Sequence, residues 1–377
     1  MVGQRTTRRM ILVVVAFSLL EALTHFGNAN PFRGDPALGF DSPYYIRMLY
    51  YLAGRVGEPP PAPFSMRPLM PTLALLLSPH VGINNAFGIV NTFFWVLASV
   101  VFFEYCLSTT GNSKLAMYAS LLFSSSVPVL VYGGAIGTDA AGYFFLILGL
   151  FLILREKRGR KLYVLEGIVV AVGVLCRETT SILIPIMFLV RVVRDRLALR
   201  SLVEELLIVS LISALPVAAW WLAVPNPGYT KYFAQNLAVA FTFAKLERAF
   251  YQIAFTFHVC YAYFLVGFLK EDDHRALIET YAVLSVVSSY FVFIYFIGVL
   301  SSRFVFMVFP IFLQLSAKGI LSLGEELADK PLLGRIGRDR WELLLLVAYV
   351  LISNVGTAGY NVCFPSMSDA PIEKLLP

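Results

Sequence analysis

Long apolar runs alternate with short polar clusters along the whole chain, and the runs show no strand-like alternation. On a length criterion of roughly 15–25 apolar residues about eleven qualify as membrane spans. They lie near 10–26, 82–107, 115–133, 139–154, 162–175, 180–193, 201–223, 251–269, 276–299, 303–320 and 341–359. A hydrocarbon core offers no water to backbone amides, so each run must be a helix or part of a closed barrel. These runs are too long for barrel strands. The pattern predicts an all-α polytopic membrane protein of about 11 transmembrane helices.

The polar intervals are uneven. The longest, 27–81, is the least hydrophobic part of the chain, and 225–250 and the tail after Gly359 are the other substantial ones. Asp41-Ser42-Pro43 opens a helix, with Ser42 as cap and Pro43 at the first helical position. Tyr45, Met48, Leu49 and Leu52 then share one face, which predicts a helix lying along the bilayer surface. Gly57 to Pro63 forces a turn. A second apolar piece, 68–77, is too short to span and is expected to dip in and return through Ser78-Pro79-His80. No internal repeat or linker divides the chain, so 1–377 reads as a single domain.

Two runs are short. The spans 162–175 and 180–193 reach roughly 21 Å each at 1.5 Å per residue, against a core near 30 Å. The turn between them, Cys176-Arg177-Glu178-Thr179-Thr180, should therefore lie below the membrane surface. Charges at that depth need partners or water, which implies a cavity.

Composition agrees: 58% of residues are hydrophobic, 14% are charged and the mean hydropathy is +0.74. With the N terminus inside, 20 of the 30 lysines and arginines fall on the inner side, as the positive-inside rule requires. The net charge of +6 follows from this orientation and does not point to nucleic acid. The four cysteines and four histidines are scattered, without metal-type spacing or a disulfide framework. Met1 to Phe26 has the basic start and apolar run of a signal peptide, but Gly27-Asn28-Ala29 is a poor cleavage site, so a retained first span is expected.

The charges on the outer side gather at helix ends. Asp41 stands at a helix start, where the dipole favours an ionised carboxylate that could accept a proton or hold a divalent cation. Asp139, in the short loop before the fourth span, would be a second acid. For either acid the competing role is simple helix capping, and Asp35, in a Gly/Pro stretch, reads as structural. Arg67, Arg303 and Lys231 are cations at membrane level suited to phosphate oxygens; snorkelling anchors are the alternative. Arg177 and Glu178 could instead neutralise each other within their turn.

Several short motifs carry a resemblance. Gly39-Phe40-Asp41-Ser42-Pro43-Tyr44-Tyr45 follows the first span, and Pro63-Phe64-Ser65-Met66-Arg67-Pro68-Leu69-Met70-Pro71 comes next. Thr138-Asp139 precedes the fourth span, Cys176-Arg177-Glu178 follows the fifth, and Ser302-Arg303-Phe304 comes ahead of Pro310. This arrangement resembles the GT-C superfamily of membrane glycosyltransferases, which includes protein mannosyltransferases and aminoarabinose transferases. The resemblance implies transfer of a sugar from a polyprenyl-phosphate donor to an acceptor hydroxyl outside the plasma membrane, with inversion. The acceptor would be a glycan, a lipid-linked group or a protein. Asp41 and Asp139 would be catalytic, and Arg67, Arg303, Arg177 and Lys231 would bind the donor phosphate, with Glu178, Tyr44 and Tyr45 in support. A divalent cation such as Mg or Mn would sit at Asp41 and Asp139. The loop departs from members with adjacent acids, since Phe40 and Ser42 flank Asp41. The rival readings are a polysaccharide polymerase or ligase and a non-enzymatic lipid-linked-sugar transporter or flippase.

Overall fold

A computed structural model describes residues 2–26, 41–155, 159–193, 199–224, 237, 241–272, 274–297, 301–331 and 333–363. Asp35, Lys231 and most of 225–250 lie outside the described residues, as does the tail beyond 363. Every regular element among the described residues is helical. In chain order the α-helices among the described residues are α1 (Val2–Phe26), α2 (Ser42–Leu52), α3 (Leu69–Val81), α4 (Ile83–Thr110), α5 (Ser113–Ser124), α6 (Val127–Tyr132), α7 (Asp139–Ile153) and α8 (Arg160–Cys176). They continue as α9 (Leu183–Val193), α10 (Leu199–Ala223), α11 (Phe243–Phe257), α12 (Cys260–Leu269), α13 (His274–Ile297), α14 (Ser302–Val305), α15 (Phe309–Ala328) and α16 (Arg338–Cys363).

The protein is an integral membrane protein. By length and composition, four helical stretches among the described residues can cross a bilayer: α4, α10, Ser302–Ala328 and Arg338–Thr357. α11 and α12 make a fifth if the bent pair is one span. Several predicted runs form broken or shorter helices. The run 115–133 breaks after Ser124, where the Ser125 and Ser126 hydroxyls bond back to Leu121 and Phe123 carbonyls and Pro128 restarts the helix. The run 251–269 bends by 69° at His258, whose φ of 32° lies in the left-handed region. The expected return through Ser78-Pro79-His80 does not occur. Instead α3 continues past Pro79 to Val81 and turns at Gly82, φ +80°, directly into α4.

Helix surfaces sort by neighbour. On α10, Leu207, Leu211, Leu215 and Leu222 are exposed at close to helical spacing, a lipid-facing stripe. Ser302–Ala328 is the opposite case, almost wholly surrounded by protein. Its Phe306 and Phe309 stack at 5.0 Å, and Phe309 packs on Phe123 at 4.9 Å and on Phe102 at 5.3 Å. This aromatic seam continues the segment that carries Arg303, so the site has a closely packed floor. Where α12 crosses α15 the backbones touch. A Cβ on Gly267 would lie 1.8 Å from the Leu315 carbonyl oxygen, and one on Gly319 would lie 1.9 Å from that of Tyr263. Small residues permit such an approach, which lipid alone would not drive.

Candidate active site

Asp41, Asp139, Arg177 and Arg303 converge at one end of the bundle. Asp41 occupies the capping position of α2, one residue before the predicted Ser42, yet its side chain makes no capping bond. Its carboxylate turns to Arg303, whose Nη1 donates to Oδ2 at 2.7 Å. Ser42 does not cap either. Its Oγ donates to the Ile136 carbonyl at 3.3 Å, fastening the start of α2 to the loop that leads to Asp139.

Asp139 is the first residue of α7 and is 3% exposed. Its Oδ1 accepts from Arg177 Nη1, and its Oδ2 stands 3.6 Å from Arg303 Nη1. Arg303 therefore lies between the two acids. Arg177 reaches Asp139 from the turn between α8 and α9. Gly142, one helical turn beyond Asp139 on α7, makes room: a Cβ there would lie 3.0 Å from Arg177 Cδ. The Phe304 ring faces both guanidiniums, with centroid distances of 5.3 Å to Arg177 and 5.5 Å to Arg303, and Tyr132 offers Arg303 a second ring at 5.5 Å.

The turn is buried, with Arg177, Thr179 and Thr180 at or below 5% exposure. Arg177 and Glu178 do not neutralise each other; each reaches a partner on a different element. Glu178 takes Arg67 in a two-point contact, with Nε donating to Oε2 at 2.6 Å and Nη2 donating to Oε1. Arg67 Nη1 donates to the Tyr45 hydroxyl at 2.8 Å, and that hydroxyl meets Thr138 Oγ1 at 3.2 Å. Burial raises the Tyr45 phenol above its usual value, so it stays protonated. Burial pushes the Glu178 carboxyl up, but Arg67 and Arg177 outweigh this and hold it below the ordinary glutamate value of 4.5.

Tyr44 points elsewhere, stacking on Phe64 at 4.4 Å and so pinning the 64–66 turn onto α2. Trp220 Nε1 ties the same turn to α10 by donating to the Ser65 carbonyl at 3.0 Å. Thr138 and Phe304 stand in the motifs quoted above but carry no role there, and Tyr132 and Gly142 are not singled out from sequence. Of the last two only Gly142 leaves a signal, as a glycine inside an apolar helix. Glu21 and His25 meet Asn354 of α16, with His25 Nε2 3.0 Å from Asn354 Oδ1.

A divalent cation does not suit this donor set. Among the described residues no three histidine, cysteine or carboxylate side chains come together. The two acids that do approach each other are already held by guanidiniums. A cation entering between them would have to expel Arg303 and would then lie beside Arg177.

Beside the Glu178 turn opens a groove of about 560 Å³ between the turn and α9 on one side and α13 on the other. Ile182, Pro185, Leu189, Val286 and Tyr290 give it apolar walls, with serines set among them.

Residues 66–220 match the family model of dolichyl-phosphate-mannose-protein mannosyltransferases. That segment includes Arg67, Asp139, Arg177 and Glu178 but neither Asp41 nor Arg303. No curated protein matches the chain in sequence. Among solved structures, the chain superposes on ArnT from Cupriavidus metallidurans bound to undecaprenyl phosphate with a TM-score of 0.55 at 12% identity, covering 92% of this chain and 74% of that one. The apo state of the same protein gives 0.54 at 10% identity with the same coverage. The chain has a GT-C fold. Within this GT-C fold the charged cluster draws on five separate segments: the start of α2, the 64–68 turn, the start of α7, the α8–α9 turn and α14.

Proposed function

We propose that the protein is a membrane glycosyltransferase that moves a sugar from a polyprenyl-phosphate donor to an acceptor hydroxyl on the extracytoplasmic face, with inversion. The observation that carries this reading is the Asp41–Arg303–Asp139–Arg177 cluster, which sets two carboxylates among two guanidiniums, with Asp41 against Arg303. A proton acceptor next to fixed positive charge is what displacement of a phosphate from a sugar requires. The GT-C fold supports it, as does the neighbouring structure of ArnT with undecaprenyl phosphate bound.

In the proposed reaction the donor's tail lies in the groove between α9 and α13, and its phosphate meets the arginines. The acceptor oxygen attacks C1 of the sugar and its proton passes to Asp41. The bond from C1 to the phosphate oxygen breaks, and the phosphate leaves with the electron pair. Arg177 and Arg303 stabilise the charge that develops on it; removing one such donor typically costs about 10²–10³ in rate. Asp139 orients both arginines. No step passes through a metal. The distribution of lysine and arginine supports an orientation with the N terminus cytoplasmic, and the membrane in this reading is the plasma membrane. A transporter would need functional charges near the middle of the membrane, whereas Asp41, Arg67, Asp139, Arg177, Glu178 and Arg303 gather at one end.

The test is transfer from radiolabelled polyprenyl-phosphate monosaccharides in proteoliposomes, comparing wild type with Asp41→Asn, with and without chelator. Label should reach an acceptor only with wild type, and chelator should not matter. Donor crossing the bilayer without transfer, indifferent to Asp41, would replace this reading with the transporter.

A further inference from the structure

This inference rests on the polyprenyl-phosphate reading above and concerns how the same site is held before its donor arrives. The charges balance. Asp41, Asp139 and Glu178 oppose Arg67, Arg177 and Arg303, and each of the six is engaged with a partner of opposite sign. Each guanidinium of the cluster already holds a carboxylate, and the proposed base, Asp41, is tied to Arg303. We propose that donor phosphate and the Asp41 carboxylate compete for Arg303, so that binding of the lipid phosphate is what releases Asp41 to act as base.

The three arginines are not equivalent in what they can give. All three nitrogens of Arg67 have partners, two on Glu178 and one on Tyr45. That arginine positions the loop and the turn. Arg177 and Arg303 are different: Arg177 Nη2 and Arg303 Nε are buried and have no hydrogen-bond acceptor. Buried guanidinium N–H groups rarely go without an acceptor. Both side chains lie against the Phe304 ring and both reach the Asp139 carboxylate, so the two guanidiniums are neighbours. A phosphate bridging them would supply the missing acceptor oxygens.

The pair that yields is the weakest of the three. Arg177–Asp139 is more deeply enclosed, at 5% and 4% side-chain exposure. Arg67–Glu178 is held at two points. Arg303–Asp41 is a single contact at 13% and 12% exposure, and Arg303 keeps Asp139 within 3.6 Å when Asp41 leaves. Losing Asp41 therefore does not strand the arginine. The consequence is an ordered reaction, donor first, in which the base stays idle on an empty site.

The test uses the full chain in nanodiscs, titrated with undecaprenyl phosphate, with undecaprenol as the uncharged control and inorganic phosphate as the soluble one. Asp41→Asn should bind undecaprenyl phosphate about tenfold more tightly than wild type, because the competitor is gone. Arg303→Gln should bind it at least tenfold more weakly, and the double variant should bind no tighter than Arg303→Gln. Asp41→Ser serves as a second variant, and both are checked for monodispersity. Unchanged or weaker binding by both, with wild type binding normally, overturns the competition and leaves the glycosyltransferase reading in place. If neither variant folds, the ion pair is a structural bond and the proposal is overturned. Inorganic phosphate binding as tightly as the lipid overturns the assignment of the ligand. No preference for undecaprenyl phosphate over undecaprenol in any form removes both this proposal and the function it rests on.

Discussion

Arg67 and Glu178, 111 residues apart in sequence, are joined by a two-point guanidinium–carboxylate contact that fastens the 64–68 turn to the turn between α8 and α9. Arg67 also holds Tyr45, and Tyr45 holds Thr138, so α2 and the start of α7 are tied into the same network. One arginine thus sets the relative position of the segments that carry Asp41, Asp139 and Arg177.

Removing either partner should therefore cost stability before it costs chemistry. Arg67→Ala leaves a carboxylate enclosed beside the remaining charges, and breaking such a pair typically costs about 3–5 kcal/mol. Arg67→Lys keeps the charge but loses the fork and the third bond to Tyr45, so it should recover only part of the loss. Thermal unfolding in detergent would show this, and an unaltered midpoint in Arg67→Ala would mean the contact does not fasten the two turns.

Acid should weaken the same contact. The folded state holds the Glu178 carboxyl below its ordinary value of 4.5. Its contribution is thus fully present above that value and is lost as pH falls through the lower folded value. Melting temperature should drop on acidification below about pH 4.5, and Glu178→Gln should remove this part of the pH dependence while starting from a lower baseline. Parallel pH profiles for the two proteins would contradict the assignment.

Much of this architecture was legible in the sequence because the bilayer imposes length and polarity on each helix. The runs around α4, α10 and α16, the helix opening after Asp41 and the buried turn at Arg177 all follow from that constraint. The breaks were less visible: Ser125-Ser126 and His258 stand inside runs whose hydropathy scarcely changes, and only local hydrogen bonds or backbone angles interrupt the helix there. In the site, residue types announced the charges but not the pairing. Arg177 and Glu178 are neighbours in sequence, yet the extended backbone at Arg177, with φ −156° and ψ 118°, sends their side chains to different partners. That partition depends on long-range packing, which no spacing along the chain encodes.

Gly142 should be sensitive for a reason confined to Arg177. An added Cβ would meet Arg177 Cδ at 3.0 Å, and a flexible stem can move a few tenths of an ångström. Gly142→Ala should therefore be tolerated in folding while shifting the guanidinium relative to Asp139. Gly142→Val cannot be accommodated that way, and overpacking of this kind typically costs about 1–3 kcal/mol. The informative comparison is sugar transfer against melting temperature: Gly142→Ala should lose proportionally more transfer than stability. Equal losses would mean that the glycine serves packing alone.

The crossing of α12 and α15 makes a sharper demand, because the obstacle there is backbone. A Cβ on Gly319 would lie 1.9 Å from the Tyr263 carbonyl oxygen and one on Gly267 would lie 1.8 Å from that of Leu315, so no rotamer change relieves either. The helices must separate, and Gly319→Ala or Gly267→Ala should each cost at least about 1–3 kcal/mol. Separation forced by the first substitution makes room for the second, so the double variant should lose clearly less than the sum. Gly356→Ala on α16 is the control, since its Cβ would meet Val127 Cγ2 at an ordinary 3.6 Å. Relief of glycine's poor helix propensity there should leave stability unchanged or raise it by up to about 1 kcal/mol. Thermal unfolding of the four variants beside wild type decides the matter: additive losses would show that the two glycines act at independent contacts rather than at one shared crossing.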